Sequence, residues 1–102
     1  MSDPDIEEII MEKTNDPGDE RGGTPQVGAY LCLTTHTISI TMDSSVSLAS
    51  ITVKDVYGTV VYRDMVDASV CGFTEFIVPV ASGTFSLEIR SSTYDGIGFF
   101  SI

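Results

Sequence analysis

From Val27 onward, apolar and polar residues alternate with a period of two. Leu31 and Leu33 alternate with Cys32 and Thr34, and Ile38, Ile40 and Met42 with Ser39 and Thr41. Ile51 and Val53 follow with Thr52 and Lys54. Further on come Phe76, Val78 and Val80 with Ile77 and Pro79, then Phe85, Leu87 and Ile89 with Ser86, Glu88 and Arg90. Successive strand side chains point to opposite faces, so this pattern predicts strands with one face buried and one wet. The region is also rich in Val, Ile, Thr, Phe and Tyr, which pack well on a pleated surface. About seven strands are predicted: roughly 28–34, 37–42, 49–55, 59–66, 73–80, 84–91 and 97–102. No helix is predicted after Val27, and there is no internal repeat.

Turn signals separate these runs. Asp43-Ser44-Ser45 follows the second strand, and Ala81-Ser82-Gly83 precedes the strand of Phe85. Asp55-Val56-Tyr57-Gly58 reads as a hairpin in which Gly58 supplies a positive φ. Tyr94-Asp95-Gly96 reads as the last hairpin turn, on the strength of its Asp-Gly pair. Short strands at this spacing point to a sandwich or barrel. Phe85 and Leu87 are predicted core residues, so that Phe85→Ala or Leu87→Ala costs ~2–5 kcal/mol.

Residues 1–26 read differently. Pro4, Pro17 and Pro25 fall here with Gly18, Gly22 and Gly23. Asp3, Asp5, Glu7, Glu8, Glu12, Asp16, Asp19 and Glu20 stand against only Lys13 and Arg21. Low hydrophobicity with high charge argues against stable packing. The expected organisation is therefore a mostly disordered acidic tail, 1–26, ahead of a β domain, 27–102, and removing the tail is expected to cost far less than a core truncation. Within it, Ile6, Ile9 and Ile10 have helical i, i+3, i+4 spacing, with Asp3 a candidate N-cap and Pro4 at the first helical position. Such a short helix is marginal unless it docks.

Composition narrows the function classes. The 102-residue chain fits one domain, and its net charge is −10. Nucleic-acid backbones require clustered Lys and Arg, so no nucleic-acid partner is expected. Adsorption to an anionic membrane is disfavoured for the same reason. No apolar run approaches the ~20 residues of a membrane-spanning helix. The start, Met1-Ser2-Asp3-Pro4-Asp5, lacks the basic and apolar regions of a signal peptide. That leaves two compartments open: the cytoplasm, or an exported chain whose signal has been removed. Cys32 and Cys71 could form one disulfide, but the favoured reading is two buried thiols acting as small hydrophobes.

Candidate chemistry is sparse. His36, the single histidine, has neither a nucleophile elbow nor a cysteine near it in sequence, and reads as a loop or strand-end residue. Asn15-Asp16-Pro17-Gly18-Asp19-Glu20 is rich in oxygen ligands, yet Pro17 and Gly18 interrupt the alternation a calcium loop requires. Asp43, Asp55 and Asp95 read as turn residues, and Glu88 as a strand residue facing water, which leaves no clear acid–base pair. No catalytic residue, cofactor or metal is expected. Exposed aromatics are a common means of stacking on sugars or peptides, which makes Tyr57, Tyr94 and Tyr30 the candidate ligand surface. The first strand, Ala29 to Thr34, and the last, Ile97 to Ile102, are candidate edges for pairing with another chain, including a second copy. Phe99, Phe100 and Ile102 are apolar on both faces, which suits a strand covered by a partner or by the tail.

Several segments in order carry a resemblance. Ile51-Thr52-Val53-Lys54-Asp55-Val56-Tyr57-Gly58-Thr59-Val60-Val61-Tyr62 forms a strand, an acidic residue, a Gly turn and a Val-Val-Tyr return. Ser82-Gly83-Thr84-Phe85-Ser86-Leu87-Glu88-Ile89 follows, then a Tyr-Asp-Gly turn and a Phe-rich strand. Over roughly residues 28–102 this resembles a family of small uncharacterised immunoglobulin-like proteins, a domain of unknown function, from Bacteroidetes-type gut bacteria. The resemblance implies an all-β fold, an immunoglobulin-like antiparallel β-sandwich. It also implies export to the periplasm, cell surface or medium, in a family with no assigned activity. Together with the small size and the lack of catalytic residues, this favours a non-catalytic interaction or structural module with a protein or glycan partner. The alternative is a carbohydrate- or peptide-binding module using exposed aromatics. A weaker similarity is to C-terminal sorting domains of secreted proteins. Those usually end in a Lys-containing strand, whereas this chain ends Gly98-Phe99-Phe100-Ser101-Ile102.

Overall fold

A computed structural model describes residues 5–13, 27–79 and 82–102. Nine strands appear in chain order: β1 (Ile6–Ile9), β2 (Glu12–Lys13), β3 (Val27–Cys32), β4 (Thr37–Met42), β5 (Leu48–Asp55), β6 (Val60–Asp67), β7 (Phe73–Ile77), β8 (Thr84–Arg90) and β9 (Asp95–Ser101). A 3-10 turn, Ser44–Val46, joins β4 to β5. All the ladders are antiparallel, in a four-stranded sheet of order β1-β3-β4-β7 and a five-stranded sheet of order β2-β9-β8-β5-β6. The alternation in sequence becomes the core between them. Ala29, Leu31, Ile38 and Ile40 from one sheet meet Ala49, Ile51, Val53, Leu87 and Ile89 from the other, all fully buried. Phe85 and Phe100 stack at one end, with centroids 5.5 Å apart. The all-β sandwich expected from the sequence is the fold observed.

The seven strands predicted after Val27 are all present, with ends moved by a few residues. The last hairpin differs. Asp95 and Gly96 lie inside β9, where Asp95 pairs with Arg90 and Gly96 with Ile89. The turn is Ser91 to Tyr94 instead. The Ser91 hydroxyl accepts hydrogen bonds from the N–H groups of Thr93 and Tyr94, and the Ser91 N–H donates to the Tyr94 carbonyl. A serine that satisfies two backbone donors closes a loop without Asp-Gly. Gly96 is needed for another reason: its missing side chain is the space occupied by the Tyr94 ring, whose Cζ would lie 2.7 Å from a Cβ there.

The helical spacing of Ile6, Ile9 and Ile10 is realised as strand. β1 pairs with β3 from Ile6↔Cys32 to Ile9↔Ala29, and β2 pairs with β9 at Glu12↔Ile97 and Lys13↔Gly96. Two turns of helix would stand alone, whereas the free edges of β3 and β9 offer backbone partners along one side of each strand. The chain thus crosses from one sheet to the other between Ile9 and Glu12. Gly98 makes that crossing possible. A Cβ on it would fall 2.8 Å from the Ile10 carbonyl oxygen, from Ile9 Cγ2 and from Met11 Sδ. Ile9, only 3% exposed, fills the opening between the sheets. Consequently β3 and the start of β9, expected as edges, are interior. The oxygen-rich stretch 15–20, read as a solvated acidic linker rather than a calcium loop, lies outside the described residues with the rest of 14–26, as do Asp3 and Pro4.

The carboxylates in the loops are structural. Asp55 Oδ1 accepts from the N–H groups of Tyr57 and Thr59, both at 2.9 Å, and Gly58 takes φ 84° to close the β5–β6 hairpin. Asp67 Oδ1 accepts from Ser69 N–H and Oγ–H in the β6–β7 loop. Asp43 accepts from Ser45 Oγ ahead of β5.

Candidate functional site

The three tyrosines expected to form a ligand surface are not brought together. Tyr57, 89% exposed, sits at the tip of the β5–β6 hairpin. Tyr94, 5% exposed, sits in the β8–β9 turn. The register of β5 against β8, with Asp55 beside Phe85 and Ser50 beside Arg90, puts these turns at opposite ends of the sandwich. Tyr94 is therefore core, not surface: burial and then the adjacent Asp95 push its phenol above the usual tyrosine range. Tyr30 projects from the middle of β3 onto the outer face of the four-stranded sheet, with its ring over Gly28.

The cysteines are separated as well. Cys32 ends β3 at the β3–β4 hairpin, while Cys71 lies in the loop beside Gly72, whose carbonyl meets the far end of β4. They are not joined to one another, and Cys71 is exposed rather than buried. A strand of six residues, roughly 17 Å, separates the two levels. His36 occupies the β3–β4 hairpin with φ 56°, and its carbonyl accepts the Val78 N–H. Among the described residues no three His, Cys, Asp or Glu side chains gather as a metal site would require.

Sequence order could not show which strands are left open. Among the described strands four are edges: β1 and β7 in one sheet, β2 and β6 in the other. An open edge presents unpaired N–H and C=O groups, and proteins usually block it with inward charges, bulges or very short strands. Three of these edges are blocked. On β1, Glu7 lies opposite buried Leu31 and so takes an inward-facing position, yet stays exposed. β2 is two residues long. On β6, Asp64 lies opposite buried Ile51, and Val61 bulges between the pairs Lys54↔Val60 and Val53↔Tyr62.

β7 has none of these devices. Its inward residues are Thr74 and Phe76, opposite Ile40 and Ile38. Its outward residues are Phe73, Glu75 and Ile77, and the two apolar ones are 49% and 66% exposed. Behind them Phe76 stacks on Tyr62 of β6, with centroids 4.0 Å apart and planes 7° from parallel. This ring pair closes the gap between the sheets on that flank. Tyr62 also donates its hydroxyl to Asp64, and its phenol is raised by burial, then by the charge and hydrogen bond of Asp64. Val60, Met65 and Val70 add exposed apolar surface to the same flank.

Electrostatics set β7 apart from the opposite face. There, Lys54 and Arg90 flank Glu88, and Arg90 also reaches Asp95, so charges on neighbouring strands are matched. Glu75 has no such cation among the described residues. It accepts only the Ser39 hydroxyl, at 3.2 Å. Beside it, Thr37, Glu75, Phe76 and Ile77 line a shallow depression of about 420 Å³.

No family model matches the chain, and no curated protein does. Among solved structures, it is similar to a DUF3244 family protein with an immunoglobulin-like β-sandwich fold from Bacteroides vulgatus. The TM-score is 0.75 at 13% identity, over 95% of this chain and 98% of that one. The likeness extends the sandwich to an immunoglobulin-like fold. It supports the resemblance to the uncharacterised family and not that to C-terminal sorting domains.

Proposed function

We propose that this chain is an exported, non-catalytic interaction module that engages a protein partner through the flank formed by β6 and β7. The observation that carries the reading is β7, the single edge among the described strands with no inward charge, no bulge and more than two residues, and with apolar residues on its outer face. Catalysis is disfavoured because the loop carboxylates are spent on turns and His36 on a hairpin. Export rests on the resemblance of segments 51–62 and 82–89 to an exported family.

A photo-crosslinking residue at Ile77, compared with one at Ser101 on the opposite face, tests this in the cells that make the protein. A discrete adduct from Ile77 alone, in the envelope or secreted fraction, is the expected result. Equal adducts from both positions, or none, would overturn the interaction surface. Protein confined to the cytoplasmic fraction would overturn export.

A further inference from the structure

The hydrogen bonding of β7 specifies what its edge could accept. Met42 N–H donates to the Gly72 carbonyl, and Val78 N–H to that of His36. Bonded residues alternate along an antiparallel ladder. Gly72, Thr74, Phe76 and Val78 therefore direct their backbone groups to β4, while Phe73, Glu75 and Ile77 direct theirs away from the sheet. The Phe73 carbonyl takes a weak bond from Cys71 Sγ at 3.5 Å. No described residue meets the N–H and C=O of Glu75 or Ile77. The same three residues carry the outward side chains, so an added strand would meet an apolar residue, a carboxylate and an apolar residue on one face.

We propose that β7 is a strand-addition site for an extended basic peptide, with Lys or Arg opposite Glu75 and apolar residues two places to either side, opposite Phe73 and Ile77. This rests on the interaction-module reading above and names its partner class. A second copy fits poorly. In the register that pairs all of β7 with itself, Phe73 meets Ile77 of the other copy and Glu75 meets Glu75. Like charges directly opposite are destabilising. A cation there has the opposite effect, and the net charge of −10 draws a basic peptide toward the domain. The depression lined by Thr37, Phe76 and Ile77 offers apolar walls to the stem of a long side chain whose charge reaches Glu75. Backbone bonds supply affinity in this mode, and alternate side chains supply specificity.

The test uses the full isotope-labelled chain and a seven-residue capped peptide with lysine at its centre, valines two places either side and threonines elsewhere. NMR titration is expected to shift the amides of Phe73, Glu75 and Ile77 and to slow hydrogen exchange at Glu75 and Ile77. N-methylation of the central lysine amide, which faces β7, should abolish binding, while N-methylation of an adjacent threonine should not. Replacing the lysine with glutamate should weaken binding about two- to fivefold or more, and Glu75→Lys should reverse that preference. Shifts elsewhere, equal tolerance of both N-methyl groups, or indifference to the charge swap would overturn the proposal. So would concentration-dependent shifts at the same amides without peptide, which would mean self-association. A specific Ile77 adduct in cells with no peptide binding would sink the basic-strand partner and spare the interaction module. Peptide binding without an adduct would do the reverse.

Discussion

The two flanks of this sandwich solve the same problem differently. On one, the N-terminal segment crosses from β3 to β9, lays Ile9 between the sheets and passes over the bare backbone of Gly98. On the other, no described segment crosses, and the gap is closed by a stacked pair, Tyr62 on Phe76. The first flank spends residues on covering edges and presents Glu7, Glu8 and Glu12 to water. The second leaves backbone groups and apolar side chains accessible. A domain that seals one side with its own chain and leaves the other open has one side available for a partner.

Removing residues 1–13 should produce the largest effect, because it uncovers two strands and empties the Ile9 slot. A loss above about 3 kcal/mol in urea unfolding is expected, given that truncating one buried isoleucine costs ~2–5 kcal/mol. This reverses the ranking that tail composition suggests. A loss below about 1 kcal/mol would mean that the crossing adds little. Gly98→Ala should follow at ~1–3 kcal/mol, since the new methyl group meets a backbone carbonyl as well as side chains. Slowed exchange at Ile9 unchanged by the substitution would contradict this.

On the open flank, Tyr62→Leu keeps the bulk but removes the ring stack, with an expected cost of ~0.5–1.5 kcal/mol by thermal unfolding. The smallest effect is alkaline. Both Tyr62 and Tyr94 are raised above the ordinary tyrosine value of about 10. Their protonated forms are favoured in the fold, so this contribution is complete below that ordinary value and disappears as pH rises through the folded values. Tyr94→Phe, on the sealed flank, should flatten stability between pH 9 and 12 more than Tyr62→Phe, because burial is the leading cause and Tyr94 is the more deeply buried.

The strands after Val27 were legible because each has one wet face, and alternation records that directly. β1 and β2 were not. Edge strands carry charge where interior strands carry apolar residues, so Glu7, Glu8 and Glu12 look like a solvated tail. Three isoleucines in five residues fit a helix as well as a strand. The turn at Ser91–Tyr94 was hidden by a stronger Asp-Gly signal whose glycine serves packing against Tyr94. Tyr94 itself looked like a turn aromatic free to bind, and only the placement of Gly96 reveals why it is buried. The open edge was beyond local reading. That β7 lies outermost follows from β4 pairing with it, a contact between residues some 35 apart. The missing inward charge on Phe73–Ile77 becomes meaningful only once the strand is known to be an edge.

The pairing of Glu12 with Ile97 also bears on how the chain reaches this state. β2 meets β9, far along the chain, so that ladder must wait until the strands between them have been made. Contacts this distant in sequence slow folding. During synthesis β2 would emerge well before β9 and wait without that partner while the strands between are made. The charges of Glu7, Glu8 and Glu12 suit that interval: they keep the segment solvated against collapse onto half-formed sheets until β9 arrives.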